Sequence, residues 1–168
     1  IWLDAHMDAH TFQTTPSGNI HGMPLSALLG KADGKLQHLL PTIKAIEPEH
    51  LILLGIRSYE SAELDLLKQA DVTIVFAEQI HDFEHLLVQA VEKLNHRCDV
   101  IGISIDLDFI RPEDAPGVET PVAGGIPAQT LLNALSQIKQ QPKICGLEIS
   151  EFITRHEYTG AKFRQFFD

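Results

Sequence analysis

Residues 99–109 read DVIGISIDLDF. From Val100 to Ile105 the segment is apolar and largely β-branched, relieved only by Gly102 and Ser104, and it has the length of a strand. A run with no polar face to turn to water suits a strand buried on both sides, as in a parallel sheet sandwiched between helices. Asp106 and Asp108 arrive while hydrophobic Leu107 and Phe109 still alternate with them, so two carboxylates are expected where the chain has not yet left the interior.

Similar runs lie on either side. HLILLGI at 50–56, VTIVFA at 72–77 and KICGLEIS at 143–150 each read as a strand, and the chain opens on the strand-like IWL. Helical patterns fall between them. PLSALLG has Pro24 near its start and Gly30 near its end, the usual asymmetry of a short helix. Residues 35–47 carry leucines and isoleucines at helical spacing, broken by Pro41. SYESAELDLLKQA at 58–70 is amphipathic, with Ser58 as its expected cap. Over 79–96, Ile80, Phe83, Leu87, Ala90 and Leu94 share one helical face and leave His81, His85 and His96 to solvent. A helix over 127–140 and a helix or turn after Glu151 complete the order. Strands alternating with helices predict an α/β fold built as a three-layer sandwich, a mostly parallel sheet covered by helices on both faces, in one domain over 1–168.

The chain has 168 residues, 44% of them hydrophobic, and a net charge of −10 with nine histidines. That is enough apolar content for a globular core. The acidity argues against nucleic acid and anionic membranes as partners and suits cationic substrates or metal ions. No apolar run approaches the roughly 20 residues that span a bilayer, and no basic-then-apolar leader precedes the first strand, so a soluble, cytoplasmic protein is expected. Cys98 and Cys145 are the only cysteines. Both flank strand-like runs and are expected as buried free thiols in a reducing compartment.

The opening stretch IWLDAHMDAH places Asp4, His6, Asp8 and His10 at every second position. In an extended strand, residues two apart project from one face, so Asp4, His6 and Asp8 would point together if the strand ran on. A solvated strand end explains such a pattern equally well. The repeat of the spacing at Asp106 and Asp108 shifts the balance, because several buried carboxylates raise one another's pKa unless a cation joins them. Asp4, Asp8, Asp106 and Asp108 with His6 form a hard donor set, unlike a thiolate-rich structural zinc site and suited to Mn²⁺. More carboxylates than one ion requires suggest two ions with bridging ligands.

With those residues go the segments TTPSGNIHGMP and SIDLDFIRPEDAPGVETPVAGG, and more weakly GIRSYE and LEISEF. Together with DAHMD they resemble the arginase branch of the ureohydrolases, manganese enzymes that hydrolyse guanidino groups. The resemblance runs nearly the whole length of the chain. It implies that Asp4 and Asp106 bridge two Mn²⁺ ions, that Asp8 binds the first, and that His6 and Asp108 bind the second. It further implies His21 as the proton-shuttling histidine, Glu151 as the carboxylate that holds the guanidinium group, and Thr120 as a neighbour of that carboxylate. Ser17, Asn19, His10 and Glu60 fall where the family recognises the amino-acid end of its substrate; Ser17 and Asn19 are also ordinary turn formers. Glu148 is left as a structural residue.

The implied reaction is hydrolysis of a small-molecule guanidino substrate, most simply L-arginine to L-ornithine and urea, by hydroxide generated between the two ions. A homo-oligomer is implied as well. The family pattern departs at three positions: His10 replaces an Asn, Glu60 an Asp, and Arg111 the third Asp of D-x-D-x-x-D-P. The family's further His ligand, in a G-G-D-H segment, would lie upstream of Ile1 with a preceding strand and helix, which makes this chain an expected partial domain. Two alternatives stay open: another amidinohydrolase (agmatinase, guanidino-acid hydrolase or formimidoylglutamase), or a non-catalytic fragment with a defective first metal site.

Overall fold

The computed structural model describes residues 1–38 and 44–153. The apolar runs become β1 (Trp2–Leu3), β2 (Ile52–Ile56), β3 (Thr73–Phe76), β4 (Ile101–Asp106) and β5 (Ile144–Ser150). These pair in the order β3-β2-β1-β4-β5, all parallel. Parallel neighbours need crossovers, and helices α1 (Pro24–Leu28), α2 (Gly34–Gln37), α3 (Ser61–Gln69), α4 (Phe83–Asn95) and α5 (Ala128–Ile138) lie in them.

The chain starts in the middle of the sheet, steps outward to β2 and β3, then returns to the other side of β1 to lay down β4 and β5. The reversal separates the helices between two faces. On one, Leu3, Leu54, Ile103 and Ile105 pack against Phe83, Leu87 and Leu94 of α4 and Leu131, Ala134 and Ile138 of α5. On the other, Leu53 and Ile56 meet Leu25 of α1 and Leu67 of α3. This is the expected three-layer α/β arrangement.

Several local expectations change. Ser58 does not cap α3: Glu60 stands at the N-cap, and its backbone N–H donates to Glu63 Oε2 at 3.0 Å, one half of a capping box. Cys145 is exposed rather than buried, because β5 is the edge strand and its stretch from Cys145 to Glu148 is open; Cys98 is half-buried. His81, His85 and His96 are exposed, as expected. Of the helix expected over 35–47, residues 39–43 lie outside the described residues, and so does the segment from 154 onward, where a helix or turn was expected. No helix among the described residues is long and apolar enough to cross a membrane.

The first strand is also shorter than the alternation suggested. It leaves the ladder after Leu3, and Asp8 sits in the left-handed region at φ 47°. Residues 4–8 are therefore not an extended strand, and the convergence of their side chains has another cause. β2 ends close against that region: Gly55, at φ 95°, lies where a Cβ would enter the ring of buried Phe109. Gly55→Ala is expected to cost about 2 kcal/mol or more from overpacking and backbone strain. Gly102→Ala, where a Cβ meets no atom within 4 Å, should change stability by less than about 0.5 kcal/mol. Urea midpoints of the two variants check this.

Candidate metal centre

The same turn closes β1 and β4. Asp4 Oδ1 accepts the backbone N–H of His6 at 2.7 Å. Asp106 Oδ1 accepts that of Asp108 at 3.0 Å. An Asp that bonds the backbone two residues on bends the chain out of the ladder while keeping its own side chain at the strand end. Two such bends, side by side, bring Asp4, His6 and Asp108 together, with donor atoms within 4.8 Å of one another. The intervening Ala5, Met7, Leu107 and Phe109 stay buried in the core, which accounts for the apolar–polar alternation without an extended strand.

Three of the carboxylates, Asp4, Asp106 and Asp108, are held by protein donors. Trp2 Nε1 donates to Asp4 Oδ2 at 2.9 Å, Ala5 N to Asp108 Oδ1 at 3.1 Å, and Ser150 Oγ to Asp106 Oδ2 at 2.9 Å. His6 Nδ1 lies 2.8 Å from Asp108 Oδ2 and 3.6 Å from Asp4 Oδ1. Even so, Asp108 Oδ2 is buried without a well-directed hydrogen bond.

The charges do not balance. Burial first, then the neighbouring Asp4 charge, raise Asp8 to about 9 and Asp106 to about 8. Burial also raises Asp4, to about 6, against the hydrogen bonds from His6. For His6 burial acts to lower the pKa, but its bonds to Asp108 and Asp4 prevail and carry it up to about 10. Burial would likewise raise Asp108; the His6 contacts outweigh it and hold this carboxyl below the usual range. The protonated imidazole thus acts as a cation beside Asp4 and Asp108, and Asp8 and Asp106 keep their protons to higher pH than free carboxyls because the positive charge nearby does not match four carboxylates. A hard, oxygen-rich donor set, an under-bonded buried carboxylate oxygen and raised carboxylate pKa values all fit divalent ions.

The cluster opens into a cleft of about 210 Å³. His6, Asp8, Asp106 and Asp108 form its floor, with Asp4 beneath at 1% exposure. His21, on a short 3₁₀ turn (Ile20–Gly22), stands on the wall with Thr120 and Glu151. Donor atoms of His21, Glu119 and Glu151 lie within 4.8 Å of one another. Glu151 adopts φ 59°, and its Oε2 accepts the Glu119 N–H at 3.0 Å. Ser17, His10 and Glu60 line the outer end. Asn19 is exposed and does not line the cleft; its N–H bonds Ser17 Oγ at 3.2 Å, as a turn former's would. Glu148 lies away from the cleft, along a larger groove of about 880 Å³ floored in part by Gly102 and Gly146 that lacks the converging carboxylates.

His10 is 6% exposed, and both of its ring nitrogens are engaged. Nδ1 meets Thr14 Oγ1 at 3.1 Å and Nε2 meets Glu60 Oε2 at 3.0 Å, with Glu63 Oε2 at 3.4 Å. Glu63 escaped the sequence reading. It is buried, accepts the Ala9 N–H at 3.0 Å and that of Glu60 at 3.0 Å, and burial raises its pKa. The E-x-x-E spacing of a capping box was the available signal. Ser150 left none, since its role follows from the β4–β5 register, and Trp2 meets Asp4 across two residues of one stretch with no pattern to mark it.

The pKa shifts set a pH dependence. Asp4, Asp106, Asp8 and His6 all hold their protons more tightly folded than unfolded, so their contribution is fully present at low pH and is lost as pH rises through about 6, 8, 9 and 10 respectively. Asp108 acts in the opposite sense, losing its contribution only in acid. With chelator present, the denaturation midpoint is expected to fall steadily from pH 5 to pH 9. Excess Mn²⁺ should raise the midpoint most at the alkaline end, where protons no longer compete for the ligands. Thermal melts at three pH values, with and without Mn²⁺, check both slopes.

The arginase family model matches residues 1–161. Arginase from Bacillus subtilis (strain 168) is 41% identical over 130 residues, covering 75% of this chain and 43% of the relative. The structure of Bacillus caldovelox arginase superposes with a TM-score of 0.86 at 34% identity, covering 91% of this chain and 52% of that one. Formimidoylglutamase from Bacillus subtilis superposes with a TM-score of 0.74 at 30% identity, covering 90% and 44%. The chain spans about half the length of the curated relatives it matches.

Proposed function

This chain belongs to the arginase family, and we propose that it forms the metal-bearing part of a binuclear manganese hydrolase that converts L-arginine to L-ornithine and urea. One observation carries the reading: the turns after β1 and β4 bring a hard carboxylate–imidazole cluster to the floor of a cleft whose wall holds His21 and Glu151. Asp4 and Asp106 would bridge two Mn²⁺, with Asp8 on one and His6 with Asp108 on the other. Bound there, such ions would supply hydroxide near neutral pH and stabilise charge that develops on the guanidino group.

The rest is done by side chains. Glu151, held by the Glu119 N–H, presents its carboxylate to the planar guanidinium, a pairing suited to two parallel hydrogen bonds. Thr120 lines the same wall. His21, partly free to solvent at the rim, takes a proton from water and delivers it to the leaving amine as the carbon–nitrogen bond breaks. At the outer end, Glu60 is largely exposed; its bonds to Glu63 and then His10 outweigh the upward push of partial burial and hold its pKa low, so it meets the substrate as an anion.

The alternative within the family is a different amidine substrate, favoured by the paired His10 and Glu60 at the recognition end. Purified protein expressed from the complete gene and loaded with Mn²⁺ is expected to release urea from L-arginine, with agmatine, guanidinobutyrate and formimidoylglutamate at least about tenfold slower in kcat/KM. His21→Ala should lower kcat by about 10²–10⁴. A preference for another of the four substrates would replace the arginine assignment. Two bound Mn²⁺ without turnover of any of them would remove the catalytic reading.

A further inference from the structure

Arg57 follows β2, and its guanidinium reaches carbonyls on three separate segments. Nη1 donates to Gly55 O at 3.4 Å, within β2. Nη2 donates to Asp108 O at 2.5 Å, in the turn after β4. Nη2 also donates to Val122 O at 3.2 Å, and Nε to Ala123 O at 3.0 Å, both in the loop that carries Thr120. That loop is tied at one end by Glu119 N–H to Glu151 and at the other by the Ile110–Ile126 bridge. Between those ties, Arg57 holds the backbone, and Gly124 at φ 87° passes over its Cδ and Nε.

We propose that Arg57 is a positioning residue whose single guanidinium couples the seating of Asp108 to the closure of the Thr120 loop beside Glu151. The residue touches neither substrate nor ions; it acts through the backbone on one ligand carboxylate and on the wall of the guanidinium pocket. Only arginine provides rigid donors pointing several ways at once, whereas lysine has a point charge on a flexible stem. The charge also faces the Asp108 and Asp4 carboxylates, offsetting part of their repulsion from behind the cleft. Losing Arg57 therefore weakens ion binding through Asp108 and substrate binding through the loop together.

The inference rests on the cluster being the proposed metal site, and the test separates the two. In full-length protein, Arg57→Met is expected to raise KM for arginine about tenfold or more and to weaken Mn²⁺ binding about tenfold, measured by electron paramagnetic resonance titration. At saturating Mn²⁺ kcat should stay within about threefold. A glutamate-specific protease should cut after Glu119 faster in the variant. Arg57→Lys keeps the charge and is expected to recover part of the Mn²⁺ affinity while KM stays raised; it also serves if the Met variant fails to fold. Recovery of KM by the Lys variant, or unchanged KM, Mn²⁺ affinity and cleavage with only a lower melting temperature, overturns the proposal. If the wild type binds Mn²⁺ but releases no urea, the functional reading falls, and Mn²⁺ affinity with loop cleavage decides the coupling.

Discussion

Parallel strands all end at the same edge of a sheet, and where their order reverses the connections diverge to opposite faces and leave a crevice. In this chain the reversal lies between β1 and β4; β4 finishes in Asp106, and β1 runs directly into Asp4. The fold thus forces carboxylates together at the one place where no crossover covers them. Like charges at such separations, partly removed from water, cannot all ionise without a compensating cation. The surrounding features answer that constraint: backbone N–H groups at Asp4, Asp106 and Asp108, the indole of Trp2, the hydroxyl of Ser150, and the protonated ring of His6. They diminish the repulsion without removing it, as the raised pKa values of Asp8 and Asp106 record. Divalent ions would offset it, which is why the cluster fits a metal site better than a stabilising network.

The fold class was legible because it rests on hydrophobic period alone. The runs at 50–56, 72–77, 99–109 and 143–150 could hardly be anything but strands, and the intervening helices declared themselves by spacing. Of the five donors expected from sequence, Asp4, His6 and Asp108 converge, and Asp8 and Asp106 line the same cleft, though the extended geometry suggested for the first stretch was mistaken. Extended alternation and an Asx-type turn both produce apolar residues between polar ones. The first rests on the pleat and the second on a side chain capturing a backbone N–H two residues on. Sequence alone does not separate these, since each needs only Asp followed at the second position by another polar residue.

What escaped the sequence depends on pairing across the sheet or between loops. Ser150 reaches Asp106 because those residues are partners in the β4–β5 register. Arg57 reaches Asp108 and Val122 because a bend after β2 aims it across the strand ends. Neither carries a local pattern. Cys145 failed for a related reason: an apolar run marks a strand, but it does not say whether that strand lies at the centre or the edge.

The two departures from the family pattern at the outer end, His10 and Glu60, are in direct contact, so they are best understood as one exchange. His10 is buried with both nitrogens engaged, and it cannot reach a substrate without giving up Glu60. Glu60 is the exposed member, so on the proposed reading it is the one that meets the ligand. An extra methylene makes its carboxylate harder to fix, and the bond from His10 compensates by restricting it. The rim therefore offers an anion on a fixed stem, with buried Glu63 behind it. Such a rim favours a substrate whose far end carries an ammonium group and disfavours one that ends only in carboxylates. Of the candidate amidines, L-arginine and agmatine carry an ammonium group in addition to the guanidinium, whereas guanidinobutyrate and formimidoylglutamate end in carboxylates. On the proposed reading, the His10–Glu60 pair sharpens selection of an ammonium-bearing end.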